Sequence, residues 1–128
     1  MKLLSLNTEI LGFDTSFEFA KELNLNEKDL VFTNRRIYEG SFKALDLKCN
    51  YVLKDKYNFN EPNDEIIDEI FKDIKNIDFN RVIAIGGGSI LDVGKLLALK
   101  DVDSTKKLFK REIPIIRDKE LIIVPTTC

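Results

Sequence analysis

An apolar run, three glycines and a helical repeat follow one another without a break in this chain, and that order restricts the fold more than any other feature. Arg81-Val82-Ile83-Ala84-Ile85 reads as a buried strand, Gly86-Gly87-Gly88 as a turn, and Ser89 to Leu99 as a helix. A strand that passes into a helix through glycines belongs to folds in which the two element types alternate. The remaining chain repeats the alternation. Asp29-Leu30-Val31-Phe32-Thr33 is a second buried strand, followed by Asn34, a polar turn and a short helix from about Ile37 to Leu45. Asn50-Tyr51-Val52-Leu53 is a weaker strand, and the turn Asn58 to Asn63 leads into a helix from Asp64 to Ile77 whose stripe is Ile66, Ile67, Ile70, Ile74 and Ile77. A further helix is expected from Ser104 to Lys110, and Glu120-Leu121-Ile122-Ile123-Val124 is a strand that stops at Pro125. Near the start, Thr15-Ser16-Phe17-Glu18 is a capping box opening a helix through Leu23, with an edge strand around Leu3 to Leu6. The pattern predicts an α/β fold, a Rossmann-like parallel sheet flanked by helices.

Size and composition narrow the functions open to such a sheet. A chain of 128 residues with 44% hydrophobic and 33% charged residues can bury one core, so a single domain over 1–128 is expected. Acidic and basic residues nearly cancel at −2 with no long Lys/Arg block, which argues against a nucleic-acid partner. No apolar run approaches the roughly 20 residues that cross a bilayer, and the first residues turn polar too early for a signal peptide. A cytoplasmic protein without a membrane partner is expected. Cys49 and Cys128 have no C-x-x-C spacing, and histidine is absent, so the usual zinc layouts and the commonest general base are missing.

The glycine turn carries the chemistry. A strand that ends in glycines and opens a helix presents unpaired backbone N–H groups at the positive end of the helix, which is an anion site. Three residues without Cβ let a diphosphate approach the backbone and permit a tight turn. Ser89 can cap the helix or donate its hydroxyl to a phosphate oxygen. Asp92 can complete a capping box with Ser89, or place a carboxylate near a ribose or the reacting end of a substrate. The string is neither G-x-G-x-x-G, since Leu91 stands where the third glycine would be, nor a P-loop. On these residues alone, a phosphate site, a free-standing nucleotide-binding module and a packing turn all remain open.

The longer string Ile83-Ala84-Ile85-Gly86-Gly87-Gly88-Ser89-Ile90-Leu91-Asp92-Val93-Gly94-Lys95 resembles the cofactor motif of the iron-containing alcohol dehydrogenase family, relatives of glycerol dehydrogenase and dehydroquinate synthase. Leu121-Ile122-Ile123-Val124-Pro125-Thr126-Thr127-Cys128 is similar to that family's Pro-Thr-Thr segment, and two such strings in the right order are far more specific than either alone. Around Glu61-Pro62-Asn63-Asp64-Glu65 and Pro125-Thr126-Thr127-Cys128 the wording resembles the 4-hydroxybutyrate dehydrogenase branch.

The resemblance implies a dinucleotide-binding domain like the N-terminal domain of dehydroquinate synthase, truncated before a helical domain that holds a divalent metal, Fe or Zn. It implies NAD or NADP as cofactor, a small alcohol or aldehyde as substrate of the full-length enzyme, and a homo-oligomer. Carried over residue by residue, Gly87, Gly88 and Ser89 hold the pyrophosphate with Gly86 also among the cofactor-binding residues, Thr126 and Thr127 touch the adenosine side, and Asp92 lies near the nicotinamide. Asn34 stands where the family often has an Asp on the adenosine ribose, which leaves NAD against NADP open. Glu61 departs from a common Asn and reads equally as a solvated turn residue. Gly94 allows a helix to pack closely on the sheet, at about 1 kcal/mol of helix stability relative to Ala. Lys95 matches a family lysine but also reads as a solvated helical residue. Cys128 reads as a packing residue, since no histidine can activate it. The chain alone is expected to lack dehydrogenase activity.

Overall fold

A computed structural model describes residues 2–3, 13–57, 63–99 and 118–126. In chain order they form β1 (Lys2–Leu3), α1 (Phe13–Leu23), β2 (Asp29–Thr33), α2 (Arg35–Ile37), β3 (Asn50–Leu53), α3 (Asp64–Ile74), β4 (Arg81–Gly86), α4 (Gly88–Leu97) and β5 (Glu120–Pro125). The strands make one parallel sheet in the order β1-β5-β4-β2-β3. The expected α/β architecture is therefore present. The expected helix over Ser104–Lys110 and the turn over Asn58–Pro62 lie outside the described residues.

The strands read as apolar runs because both faces of the sheet are covered. In β4, Val82, Ile83, Ala84 and Ile85 are fully buried, and so are Leu30, Val31 and Phe32 in β2. Alternate side chains feed two cores. Leu30, Phe32, Val82, Leu121 and Ile123 meet Ile67, Ile70 and Ile74 of α3 and Ile90, Val93 and Leu97 of α4. On the opposite face Val31, Ile83, Ile85, Ile122 and Val124 meet Phe19 of α1, Ile37 of α2 and Phe42. The isoleucine stripe packs as its spacing requires through Ile74, where α3 ends three residues short of the expected Ile77; Ile66 and Ile77 are half-buried beside the core. Asn63 caps α3, its Oδ1 accepting from the Ile66 N–H at 3.0 Å.

Three local expectations need correction. Helix α1 begins at Phe13, so Thr15 lies inside its first turn and not at the position ahead of it. The helical segment expected from Ile37 starts at Arg35, because Asn34 caps it directly: its Oδ1 accepts from the Ile37 N–H at 2.8 Å. That segment is also not a regular helix, since it continues through a π turn at Tyr38–Phe42 and a 3-10 turn at Lys43–Leu45. The wide turn seats Phe42 edge-on to Phe19, with ring centroids 6.2 Å apart.

The amino edge of the sheet is held by a buried ion pair. Arg81 Nε and Nη2 donate to Asp29 Oδ1 and Oδ2 at 2.6 and 2.8 Å, and Nη2 also donates to the Leu23 carbonyl at 2.7 Å. The Asn26 N–H donates to Asp29 Oδ2 at 2.8 Å, so the carboxylate is fully engaged. One guanidinium thus joins β4, β2 and the end of α1. The hydrogen bond to Asp29 raises the affinity of Arg81 for its proton, more than offsetting the burial that opposes the charge.

Helix α4 lies on β4 at the smallest separation side chains allow. A Cβ added at Gly94 would stand 2.4 Å from Ala84 Cβ, well inside van der Waals contact. This is the packing role that the sequence assigns to Gly94. Two stability outcomes are expected. Gly94→Ala gains about 1 kcal/mol of helix propensity but incurs overpacking of about 1–3 kcal/mol, so thermal unfolding should show a net loss; a higher melting temperature would refute the close approach. Asp29→Ala leaves a half-buried cation unpaired and should lower stability by about 3–5 kcal/mol. In denaturant titrations Asp29→Leu combined with Arg81→Met should lose clearly less than the two single losses together, and simple additivity would show that the pair is not coupled.

Candidate dinucleotide site

The site lies where the sheet changes direction. The chain moves outward from β2 to β3, then crosses back over β2 to place β4 on its other side, so β2 and β4 border a topological switch point. In parallel α/β sheets ligands bind in the crevice outside the carboxyl ends of the strands at such a point. The register pairs Phe32 with Ala84, and Ile85 and Gly86 with Val124 and Pro125, so three strands end side by side. Two hydrogen bonds lock those ends: Thr33 Oγ1 donates to the Ile85 carbonyl at 2.7 Å, and the Thr126 N–H donates to the Gly86 carbonyl at 3.1 Å.

The glycines divide into two kinds. Gly86 has φ +153°, a conformation side chains rarely adopt, and an added Cβ would meet Ile90 Cδ1 at 2.6 Å. It serves the fold. Gly87 and Gly88 have ordinary backbone angles or helical placement, and an added Cβ on either would meet nothing within 4 Å. Nothing in the packing of the described residues requires them to lack a side chain. They border open space, and what a Cβ would fill there is the approach to the helix end.

That end is uncapped. The last non-helical residue is Gly87, which can offer no side chain to the first turn. The expected cap by Ser89, and with it the Ser89–Asp92 capping box, is not formed. The reason is the positive φ of Gly86: it completes the turn early, so the helix already begins at Gly88 and Ser89 is its second residue. The first helical bond is the Leu91 N–H to the Gly87 carbonyl at 3.1 Å, which leaves the N–H groups of Gly88, Ser89 and Ile90 ahead of it without helical acceptors. Three donors and a helix dipole converge beside two residues without Cβ, an arrangement that suits a phosphate.

The structure brings Asn34, Gly86, Gly87, Gly88, Ser89 and Thr126 to this carboxyl edge. Asn34 lies at the end of β2 with its Oδ1 committed to the cap, leaving the Nδ2 amide to donate elsewhere. Asp92 stands on the exposed face of α4, four residues and one turn beyond Gly88. Thr126 Oγ1 is buried with no hydrogen-bond partner among the described residues, a state that costs about 1–3 kcal/mol if left unrelieved. Thr127, Cys128 and Glu61 lie outside the described residues. Sequence reasoning missed Thr33, whose hydroxyl ties β2 to β4, and Asp55, whose Oδ1 accepts from the Arg35 N–H at 2.6 Å and ties the turn after β3 to α2. Neither carries a motif. Each is recognisable only from the register of the sheet.

Two other features of the surface are separate from this edge. A polar concavity lined by Glu27, Lys28, Asn50, Asn76, Ile77 and Asp78 opens at the opposite end of the strands, with a Lys28–Asp78 ion pair in its wall. Among the described residues, no group of three or more His, Cys, Asp or Glu could hold a metal ion, and no helix is long and apolar enough to cross a membrane.

Comparison with known proteins agrees with this fold. The chain is 42% identical, over all of its 128 residues, to 4-hydroxybutyrate dehydrogenase of Clostridium kluyveri, and spans 34% of the length of that relative. Its fold is similar to that of sulfoacetaldehyde reductase from Bifidobacterium kashiwanohense, solved in complex with NAD+, at 16% identity and a TM-score of 0.67 over 98% of this chain and 34% of that one. It is also similar to NADH-dependent butanol dehydrogenase A from Thermotoga maritima, at 16% identity and a TM-score of 0.66 over 98% of this chain and 32% of that one. The model of the iron-containing alcohol dehydrogenases matches residues 9–128, glycine turn and Pro-Thr-Thr segment included, and the chain belongs to that family.

Proposed function

We propose that these residues form the dinucleotide-binding domain of an NAD(P)-dependent, metal-dependent alcohol dehydrogenase, and that the whole protein interconverts 4-hydroxybutyrate and succinate semialdehyde. The observation that carries the cofactor reading is the pair Gly87 and Gly88: their missing Cβ atoms open the uncapped end of α4 and have no packing reason. The substrate reading rests on the 42% identity to the Clostridium kluyveri enzyme.

In this reading the N–H groups of Gly88, Ser89 and Ile90 donate to the pyrophosphate, and the Ser89 hydroxyl donates to a phosphate oxygen. The Asn34 amide donates to the adenosine ribose, with Thr126 and Thr127 on the adenosine side. Asp92, one turn along α4, faces the nicotinamide end. When bound, the nicotinamide gives or takes the hydride. The described residues do not fit the metal, so its ligands are assigned to the part of the protein beyond them. This domain's own contribution is to position the dinucleotide and neutralise its phosphates.

Two outcomes are expected. Gly87→Val places its side chain in open space, so the melting temperature should hold while NADH affinity falls by about tenfold or more in calorimetric titration, an energy near 1.4 kcal/mol. An unchanged affinity would remove the turn from the site. The 128-residue chain, supplied with NAD+, Fe2+ or Zn2+ and 4-hydroxybutyrate, should produce no NADH; metal-dependent turnover would place the catalytic groups in this domain.

A further inference from the structure

The end of β2 carries charges that the family motif does not explain. Directly after Asn34 come Arg35 and Arg36, both exposed, in the first turn of α2. Because β2 and β4 are paired in register, with Phe32 opposite Ala84 and Thr33 bonded to the Ile85 carbonyl, this turn stands across the switch point from the glycine cradle. Adjacent strands lie about 4.8 Å apart, so a dinucleotide with its pyrophosphate on the cradle has its adenosine ribose within reach of the β2 end. In doubly wound folds the group at this position decides the cofactor: a carboxylate hydrogen-bonds a free 2′-hydroxyl, whereas a nearby arginine accommodates a 2′-phosphate.

Resting on the function proposed above, we infer that Arg35 and Arg36 form a 2′-phosphate subsite, and that this chain takes NADP(H) at least as readily as NAD(H). Three observations support it. Position 34 is Asn, whose neutral amide donates and does not repel a phosphate. Neither guanidinium has an ion-pair partner among the described residues, so both are available to an anion. The nearby carboxylate Asp55 accepts from the backbone N–H of Arg35 through Oδ1 and makes no ion pair with either guanidinium among the described residues. A guanidinium also matches phosphate geometry better than any other side chain, through paired N–H donors.

Fluorescence titration of the full chain with NADH and NADPH, and competition with 5′-AMP and 2′-phospho-AMP, test the inference without turnover. NADPH should bind at least as tightly as NADH, and 2′-phospho-AMP should compete better than AMP. Arg35→Gln combined with Arg36→Gln should weaken NADPH by about tenfold or more relative to NADH. Asn34→Asp keeps an N-cap of equal quality, so it should fold normally, hold NADH and lose NADPH by a similar factor. NADH binding tenfold tighter than NADPH, or a ratio unmoved by either variant, would overturn the subsite while leaving the dinucleotide reading intact. Failure of both nucleotides to bind would overturn that reading and the subsite together.

Discussion

The near-contact of α4 with β4 sets the position of everything else at the carboxyl edge. Gly94 rests on Ala84, and Gly86 turns tightly enough to bring Ile90 against its own Cα. Two points of close approach fix a rod in both position and tilt. The helix end therefore emerges at one place beside the ends of β2 and β5, with its free N–H groups facing the crevice. A bulkier residue at either point would lift the helix and move those donors. The position of these donors is thus set by apolar packing one to two turns away.

The opposite edge supplies the counterpart. Asp29 and Arg81 begin neighbouring strands, and their buried pair, with the Leu23 carbonyl and the Asn26 N–H, holds the amino ends together. Burying such charges is costly, and hydrophobic residues of the same volume could stabilise as well. What the pair adds is register: a slip of β2 against β4 would strand both charges. The sheet is thus pinned by charge at one end and left open, with unpaired donors, at the other.

The elements legible in the sequence were those whose physics is local or periodic. Buried parallel strands are continuous apolar runs, the stripe of α3 repeats at helical spacing, and Gly94 stands out as a helix breaker that must have a packing reason. The misjudged details depend on geometry that no short window holds. Ser89 is the better intrinsic cap than any glycine, yet the positive φ of Gly86 starts the helix before it. The π turn at Tyr38–Phe42 exists to seat Phe42 against Phe19 across the core, and neither residue announces it. Asp29 looks like an ordinary strand opener until Arg81, fifty-two positions on, is folded beside it. At the candidate site, the glycines could be named in advance, but which of them the packing requires and which border open space depended on what surrounds each missing Cβ.

The short strand β1 has a consequence for how the molecule comes into being. Lys2 and Leu3 pair with Ile122 and Ile123, so the outermost strand is completed by residues from opposite ends of the described chain. Closing so long a loop is entropically costly and cannot happen until β5 has been synthesised. During synthesis the apolar Leu121–Val124 run of β5 therefore emerges with one side able to add to β4 and the other still bare, an edge that invites pairing with other chains. Pairing with Lys2 and Leu3 covers that edge, so a strand of two residues shields the apolar run beside it.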